Sequence, residues 1–491
     1  MTTQTVRTGR RPGNAREDEF TPALRSFFED ARTWPWRQRF ANALFIRDYQ
    51  GLPHTSPHDI DLLIDADLQP AFADFVREKA FDHGLQPMIL LREGMSFLLI
   101  CDLDASAAGR AWAFLEIGER LQITENLAIE ASQISVAANT SLPVPSEDWA
   151  AFLTVVQGVR TGKIAKAEAQ LAQMGLAAEL SRPLFRKFLD IDLDLSANLS
   201  QCGDALSKLQ QVVKLKKRTP ASAPLTENPA RLLRRLLNRL YLVHRGQPLL
   251  FTLHGPDGVG KTTVCAEVER IFARLPLPFA SFHHITGWKV ARKKSGGQAD
   301  GPARKGDPEW QPGIVHRSMR AVYRLMPQSV RELYVLVQGY HHYLAELSGL
   351  IYGHFRANRI MLVDRYIYDL TVKNIVAEVR PRWVHALFAR LARRPARAIL
   401  LTDEPEKIYQ RKQELNVDEI KTYLLTIKAL LKETHVSVET VDVAGRFPEA
   451  IARDIATRML DVCAPSLLIL LRAYRSASRE QGEEHTGAAM P

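Results

Sequence analysis

A nine-residue stretch, Gly255-Pro256-Asp257-Gly258-Val259-Gly260-Lys261-Thr262-Thr263, constrains this chain more than any other segment. It fits the pattern G-x-x-x-x-G-K-[ST] without a mismatch, and its flanks are those such a loop needs. Leu249-Leu250-Phe251-Thr252-Leu253 before it reads as a buried parallel strand, and residues 264–272 after it carry apolar side chains at helical spacing. Strand, glycine loop and helix in that order turn a row of backbone N–H groups and a helix N-terminus towards an anion. The segment therefore predicts a nucleoside triphosphate site, with Gly255, Gly258, Val259, Gly260, Lys261, Thr262 and Thr263 around the phosphates. Lys261 would reach the β- and γ-phosphates, and the Thr262 hydroxyl would bind Mg²⁺.

At 491 residues the chain is too long for one ordinary core, and ~150 residues per domain suggests about three units. No apolar run approaches the ~20 residues that span a bilayer; Leu467-Leu468-Ile469-Leu470-Leu471 is far shorter and is followed by Arg472. The stretch from Met1 to Arg16 is polar and basic, with no apolar signal core. Cys101, Cys202, Cys265 and Cys463 are scattered, with no C-x-x-C pair. That pattern predicts a reducing, cytoplasmic setting and neither a disulfide framework nor a zinc site. Sixty-five Lys+Arg against 55 Asp+Glu give a net charge of +10. The basic residues are spread out and no nucleic-acid-binding motif is present, so the charge points to small phosphorylated, anionic partners.

Beyond the loop, helical and strand-like segments alternate. Ile360-Met361-Leu362-Val363, Ala398-Ile399-Leu400-Leu401 and residues 438–443 read as strands. Leu333, Val337, Tyr340, Leu344, Leu347 and Ile351 mark a long helix over about 330–353, which serves either an interface of a homodimer or the face of the sheet. Alternation of this kind implies a parallel sheet covered by helices on both faces. Asp364 follows four apolar residues, the arrangement by which a buried strand delivers a carboxylate to Mg²⁺ beside the phosphates.

The loop GPDGVGKTT, the segment Asp364-Arg365-Tyr366 and the later Glu404-Pro405-Glu406-Lys407-Ile408-Tyr409-Gln410-Arg411 together resemble the thymidylate kinase family over about residues 248–462. The resemblance implies ATP- and Mg²⁺-dependent phosphorylation of a nucleoside monophosphate. It implies that Asp257 contacts the acceptor sugar, that Arg365 helps hold the acceptor and transferring phosphates, and that Arg411 lies at a mobile lid over ATP with Lys412 beside it. Phosphoryl transfer needs such positioning and positive charge more than it needs a covalent group. The acceptor half departs from the family. Phe282-His283-His284-Ile285-Thr286-Gly287-Trp288 stands where the family has Arg-Glu-Pro-Gly-Gly, and Ile367-Tyr368-Asp369-Leu370-Thr371 replaces the usual continuation after DRY. The chain also resembles long thymidylate-kinase-like proteins associated with bacterial polysaccharide clusters, so a sugar or glycolipid acceptor stays open beside a nucleotide. A regulatory switch driven by ATP binding stays open as well. The insertion 289–305, with Arg292, Lys293, Lys294, Arg304 and Lys305, is either a basic flap over the acceptor or a solvated loop. His283-His284 and His341-His342 lack a third ligand at metal spacing and are expected to be structural.

In the first half, Ser56 precedes Asp59-Ile60-Asp61 on an apolar segment, and two acids spaced by two point to one side of a strand. This resembles the nucleotidyltransferase fold, in which a third acid comes from a later strand; Asp102 or Asp104 is the candidate, while the usual Gly-Ser pair is absent. A substrate-binding module and an active transferase are both consistent with it.

The expected organisation is a disordered or partly ordered tail at 1–35, a nucleotidyltransferase-like domain at 36–146, and a helical region at 147–218. A Pro- and Ala-containing linker at 219–229, a P-loop kinase domain at 230–463, and a C-terminal helix with a disordered tail at 464–491 complete it. The fold class is α/β, a P-loop NTPase parallel sheet with helices on both faces, preceded by a smaller α+β domain and the helical region. The expected partners are ATP with Mg²⁺ and a small anionic or sugar acceptor, with no nucleic acid and no membrane span.

Overall fold

The computed structural model describes residues 19–191 apart from 41, 48, 50–51, 56–58, 92–94, 124–126 and 139. It also describes 207, 209–211, 247–283, scattered positions between 327 and 354, and 358–471 apart from 380. The chain divides into two compact units. One comprises Met1–Arg7, Tyr241–Glu269 and Pro278–Ile455, the other Thr8–Leu240, Arg270–Leu277 and Ala456–Pro491.

The unit that holds most of the N-terminal half is built on a mixed sheet. Its strands are β1 (Leu44–Arg47), β2 (Ile60–Leu63), β3 (Gln86–Leu90), β4 (Met95–Cys101) and β5 (Trp112–Gly118), in the order β1-β2-β5-β4-β3. β2 and β5 run parallel, and the other neighbours are antiparallel. Successive residues of a strand face opposite sides, and the sheet feeds two cores accordingly. Ile60, Leu62, Leu98, Ile100, Leu115 and Ile117 pack with an aromatic cluster from α1 (Pro22–Ala31), α2 (Trp36–Arg39) and α3 (Gln69–Asp82). Leu24, Phe27, Phe28 and Ala31 make one stripe of α1, so part of the expected tail is a helix with a buried face. Leu44, Ile46 and Leu63 pack instead with Trp149, Phe152, Val156 and Phe185. Those residues belong to the helical region, α4 (Glu147–Thr161), α5 (Ile164–Gln173) and α6 (Arg182–Leu189). A short ribbon, β6 (Arg120–Gln122) with β7 (Ala128–Glu130), precedes α4.

The other unit carries a five-stranded, wholly parallel sheet. Its strands are β8 (Gln247–His254), β9 (Phe279–His283), β10 (Ile360–Asp364), β11 (Pro395–Thr402) and β12 (Val438–Asp442), ordered β12-β11-β8-β10-β9. Each central strand is a near-continuous apolar run because both faces are covered. On one face Leu250, Met361, Val363, Ala398 and Leu400 share a core with side chains from α8 (Ile367–Val376), α9 (Arg382–Leu391) and the later α11 (Val417–Glu433). On the other face Phe251, Leu253, Leu362, Ile399 and Leu401 are equally buried. The remaining helices are α10 (Pro405–Arg411), and α7 (Lys261–Phe272) and α12 (Pro448–Cys463), of which this unit holds the residues up to Glu269 and Ile455. Within the expected long helix, Leu336 and Tyr340 are buried in the sheet core with Leu333 and Leu344 against it, while Val337 is exposed. Of the described stripe residues, Leu333, Tyr340 and Leu344 therefore pack on the sheet and Val337 does not.

Cys101 in β4, Cys265 in α7 and Cys463 at the end of α12 are buried, and burial pushes all three thiols well up from their ordinary value. Among the described residues no helix is long and apolar enough to cross a membrane. His284, the insertion 289–305, His341-His342, the linker 219–229, Ser56, Cys202 and the tail beyond 471 lie outside the described residues.

Candidate functional site

The strand order places β8 in the middle of the parallel sheet. The chain goes first to the far edge at β9, returns to β10 beside β8, and then crosses to the other side for β11 and β12. In open parallel sheets such a reversal leaves a crevice at the carboxyl ends of the strands. The glycine loop 255–260 leaves β8 at that crevice and runs into α7.

Two of its glycines are required by close approach as well as by backbone angle. A Cβ on Gly255 (φ +149°) would stand 2.9 Å from Val259 Cγ1 and 3.0 Å from the carbonyl oxygen of Leu401. One on Gly258 (φ +96°) would stand 2.9 Å from Lys412 Cβ and 3.2 Å from the Ile408 carbonyl oxygen. The end of α10 thus rests directly on the loop. Gly260 (φ +100°) has nothing within 4 Å of its would-be Cβ and faces open space. Val259 is buried, whereas Thr262 and Thr263, on the first turn of α7, are exposed.

Lys261 is buried and folds back over the loop, its Nζ donating to the carbonyl oxygens of Gly255 (2.7 Å) and Pro256 (3.0 Å). Nζ also lies 3.5 Å from Asp257 Oδ1. Asp257 gathers two further cations: Arg365 Nη2 donates to Oδ1 at 3.1 Å and Lys373 Nζ to Oδ2 at 2.7 Å. Burial would raise the Asp257 carboxyl, but Lys261, Lys373 and Arg365 outweigh it and hold the group well below the usual carboxylate range. Arg365 has φ +61°, a left-handed conformation that costs an ordinary side chain about 1–2 kcal/mol and persists only where its surroundings impose it.

Asp364 is buried at the end of β10, where it is in register with Leu253 of β8 and His283 of β9. Its charge is among those that raise the Cys265 thiol one turn into α7, after burial itself. Arg411 stands apart from the Asp257 cluster: it pairs with the buried Asp403 at 2.7 Å while remaining nearly half exposed. Its neighbour Lys412 supplies the contact to Gly258.

A second constellation lies around the end of β8, and of its members only Asp369 falls in a segment singled out in the sequence, the stretch after Asp364-Arg365-Tyr366. His254, the last residue of β8, is fully buried; its Nδ1 is 2.6 Å from Asp369 Oδ2 and its Nε2 2.8 Å from Thr252 Oγ1. The Tyr423 hydroxyl of α11 donates to the other oxygen of Asp369. Burial would raise Asp369, but the facing His254, then Lys261 and the Tyr423 hydroxyl, hold it below its ordinary value. Tyr423 is pushed well up, chiefly by burial. A further buried network joins Tyr340 to Thr371 and Asn374 of α8 and His385 of α9.

In the mixed sheet, Asp61 sits on β2 directly beside Glu116 of β5, and Asp59 immediately precedes β2. Asp102 and Asp104 do not join them. β4 runs antiparallel to β5, so Asp102 lies opposite Ala111 at the start of β5, five residues from Glu116. Asp102 Oδ1 accepts the Asp104 backbone N–H there, and Arg274 donates to the carbonyl oxygens of Asp104 and Gly109. The acid that a parallel neighbour brings to Asp61 is Glu116. Among the described residues no group of three or more His, Cys, Asp or Glu side chains is arranged to hold a metal ion.

No protein-family model matches the chain, and a search of the curated proteins returns no match.

Proposed function

We propose that the unit with the parallel sheet is a P-loop kinase that transfers the γ-phosphoryl group of ATP to a small acceptor. The observation that carries the reading is the glycine loop at the sheet's reversal point, with Lys261 and Asp257 on it and Asp364-Arg365 at the end of the adjacent strand. Thr262, on the first turn of α7, and Asp364, at the end of β10, offer hard oxygen donors, which suits Mg²⁺. When bound, Mg-ATP supplies the phosphoryl group with part of its charge neutralised.

The chain's own residues supply position and charge. Lys261 exchanges its two loop carbonyls for phosphate oxygens, a stronger, charge-assisted partner. Backbone N–H groups of the loop and of the first turn of α7 face the same anion. Arg365 is the cation that would meet the negative charge spreading over the transferring group, and Asp257 would hold the acceptor at a point away from its attacking oxygen. As an acceptor oxygen bonds to the γ-phosphorus, the bond to the bridging oxygen breaks and ADP leaves with the electron pair. Arg411 and Lys412, on the segment resting on Gly258, close the site from above. A nucleoside monophosphate is the leading acceptor class in this reading, and a sugar or glycolipid the alternative.

The test is ADP release from Mg-ATP by the purified full chain, alone and with each nucleoside monophosphate, against Lys261→Ala. Acceptor-stimulated release should be lost by at least about a hundredfold in a variant that melts like the wild type. Undiminished release in such a variant would remove the assignment.

A further inference from the structure

Trp383, Leu387 and Leu391 stand four residues apart on α9 and so form one stripe along about 12 Å of the helix. They are 60%, 43% and 61% exposed. The opposite face is already used: Val384, Phe388, Ala389 and Ala392 are buried in the sheet core, and His385 is bonded to Tyr340. A single exposed leucine is ordinary. An outward stripe of one Trp and two Leu, on a helix anchored by its other face, is apolar surface with no role in the fold. The charge beside it has one sign. Between Asp369 and Asp403 the sequence holds six arginines, one lysine and a single acid, Glu378. Arg397 pairs with Glu439 of β12, whereas Arg382, Arg390 and Arg394 are exposed and form no ion pair among the described residues. Arg390, in the last turn of α9, suits the helix dipole, but Arg382, at the first residue, opposes it. Helix stability therefore accounts for one end of the basic pattern and not for the other.

We propose that this face of α9 docks on an anionic lipid surface, lying in the interface without spanning the bilayer. Trp383, Leu387 and Leu391 enter the boundary between headgroups and acyl chains. An indole suits that depth, with its ring in apolar surroundings and its N–H near water. The arginines at the two ends of the stripe lay their stems along the apolar surface and bring their guanidinium groups to lipid phosphates. Other occupants fit less well. A second copy paired through this face would set arginine-bearing ends against one another, at the cost of like charges meeting. Three side chains also fall short of the ~800 Å² per partner of a stable interface. The insertion 289–305 carries the same positive sign as the patch. Nucleic acid would engage the arginines and leave the two leucines without a partner. A protein partner would need an acidic groove shaped to a protruding helix, whereas a bilayer interface yields to a convex stripe. The inference goes beyond the kinase reading and does not depend on it.

The experiment sediments the full chain with vesicles of phosphatidylcholine, alone or mixed with phosphatidylglycerol, at low and at high salt. The wild type should bind the mixed vesicles and be released from them by salt. The variants change exposed side chains only, so each should melt like the wild type. Trp383→Ser/Leu391→Ser should weaken binding about tenfold or more. Arg390→Gln/Arg394→Gln should weaken it about fivefold for each arginine and flatten the salt dependence. Trp383→Phe should bind much as the wild type does, yet lose part of the fluorescence quenching that brominated acyl chains cause. A wild type that ignores the mixed vesicles overturns the proposal and leaves the stripe to a protein partner. Binding that survives both double variants overturns it as well, because another basic segment is then responsible. So does a wild-type dimer that Trp383→Ser/Leu391→Ser converts to a monomer, since a second copy then covers the stripe.

Discussion

In the parallel sheet every strand ends at the same edge, whereas in the mixed sheet β4 runs against its neighbour β5 and β1 against β2. Both sheets bury two faces, so their core chemistry is alike. They differ in where they deliver the residues just past a strand's end. The parallel sheet brings the glycine loop after β8 and Asp364-Arg365 at the end of β10 to one edge, although more than a hundred residues separate them. The mixed sheet carries Asp102 to the opposite end from Glu116. Strand direction, more than strand composition, decides which polar residues can act together.

The most severe way to break the parallel side of this comparison is to empty the network around the end of β8. Asp369→Ala leaves His254 and the Tyr423 hydroxyl buried without their shared carboxylate. Removing one partner of a buried pair costs about 3–5 kcal/mol. Urea unfolding should register that loss along with weakened ATP binding; a cost below about 1 kcal/mol would show that the network does not hold the loop.

Matched cavities come next. Leu362→Ala in β10 and Leu98→Ala in β4 each remove a fully buried side chain and should cost about 2–5 kcal/mol. Only Leu362→Ala lies on a strand that ends at the candidate site, so it alone should also weaken ATP binding in calorimetry. Equal effects on ATP binding would erase the distinction between the two sheets.

The smallest effect expected is on acid stability. Asp257 and Asp369 are both held below the ordinary carboxylate range in the folded protein. Around pH 3–4 the unfolded chain therefore binds more protons than the native one. Their contribution is fully present above about pH 5 and is lost as the pH falls through 4 and below. In Lys373→Gln one of the cations that lowers Asp257 is gone, so the acid midpoint of melting should move to higher pH. An unmoved midpoint would mean that the ion pair adds nothing to the fold.

The sheet elements around the loop were readable because a strand covered on both faces is a continuous apolar run, as at Leu249–Leu253 and Ile360–Val363. Asp257, Lys261 and Arg365 stood out because phosphate chemistry fixes residue types at short, fixed spacings. Asp369 stood at a fixed spacing after Asp364-Arg365-Tyr366 but without an assigned partner, and Lys373, His254 and Tyr423 had no such spacing. Their meeting depends on the rotation of α8 and α11 against β8, which local sequence does not encode. A faint signal did exist: Thr252 and His254 alternate as polar residues on the face of β8 that otherwise carries Leu250 into the core. Glu116 was missed for a related reason, since finding it requires knowing that β5 and not β4 lies beside β2.

The buried cysteines give the molecule a built-in clock. Cys265 lies in the helix that leaves the loop, in the unit of the parallel sheet, while Cys101 and Cys463 lie in the other unit. A thiol sealed from water reacts with an alkylating reagent only during the moments when its surroundings open, so labelling rate counts those openings. The two units can thus be timed separately in one tube, without adding a probe. A ligand that tightens the loop would slow the hand at Cys265 and leave the other two running.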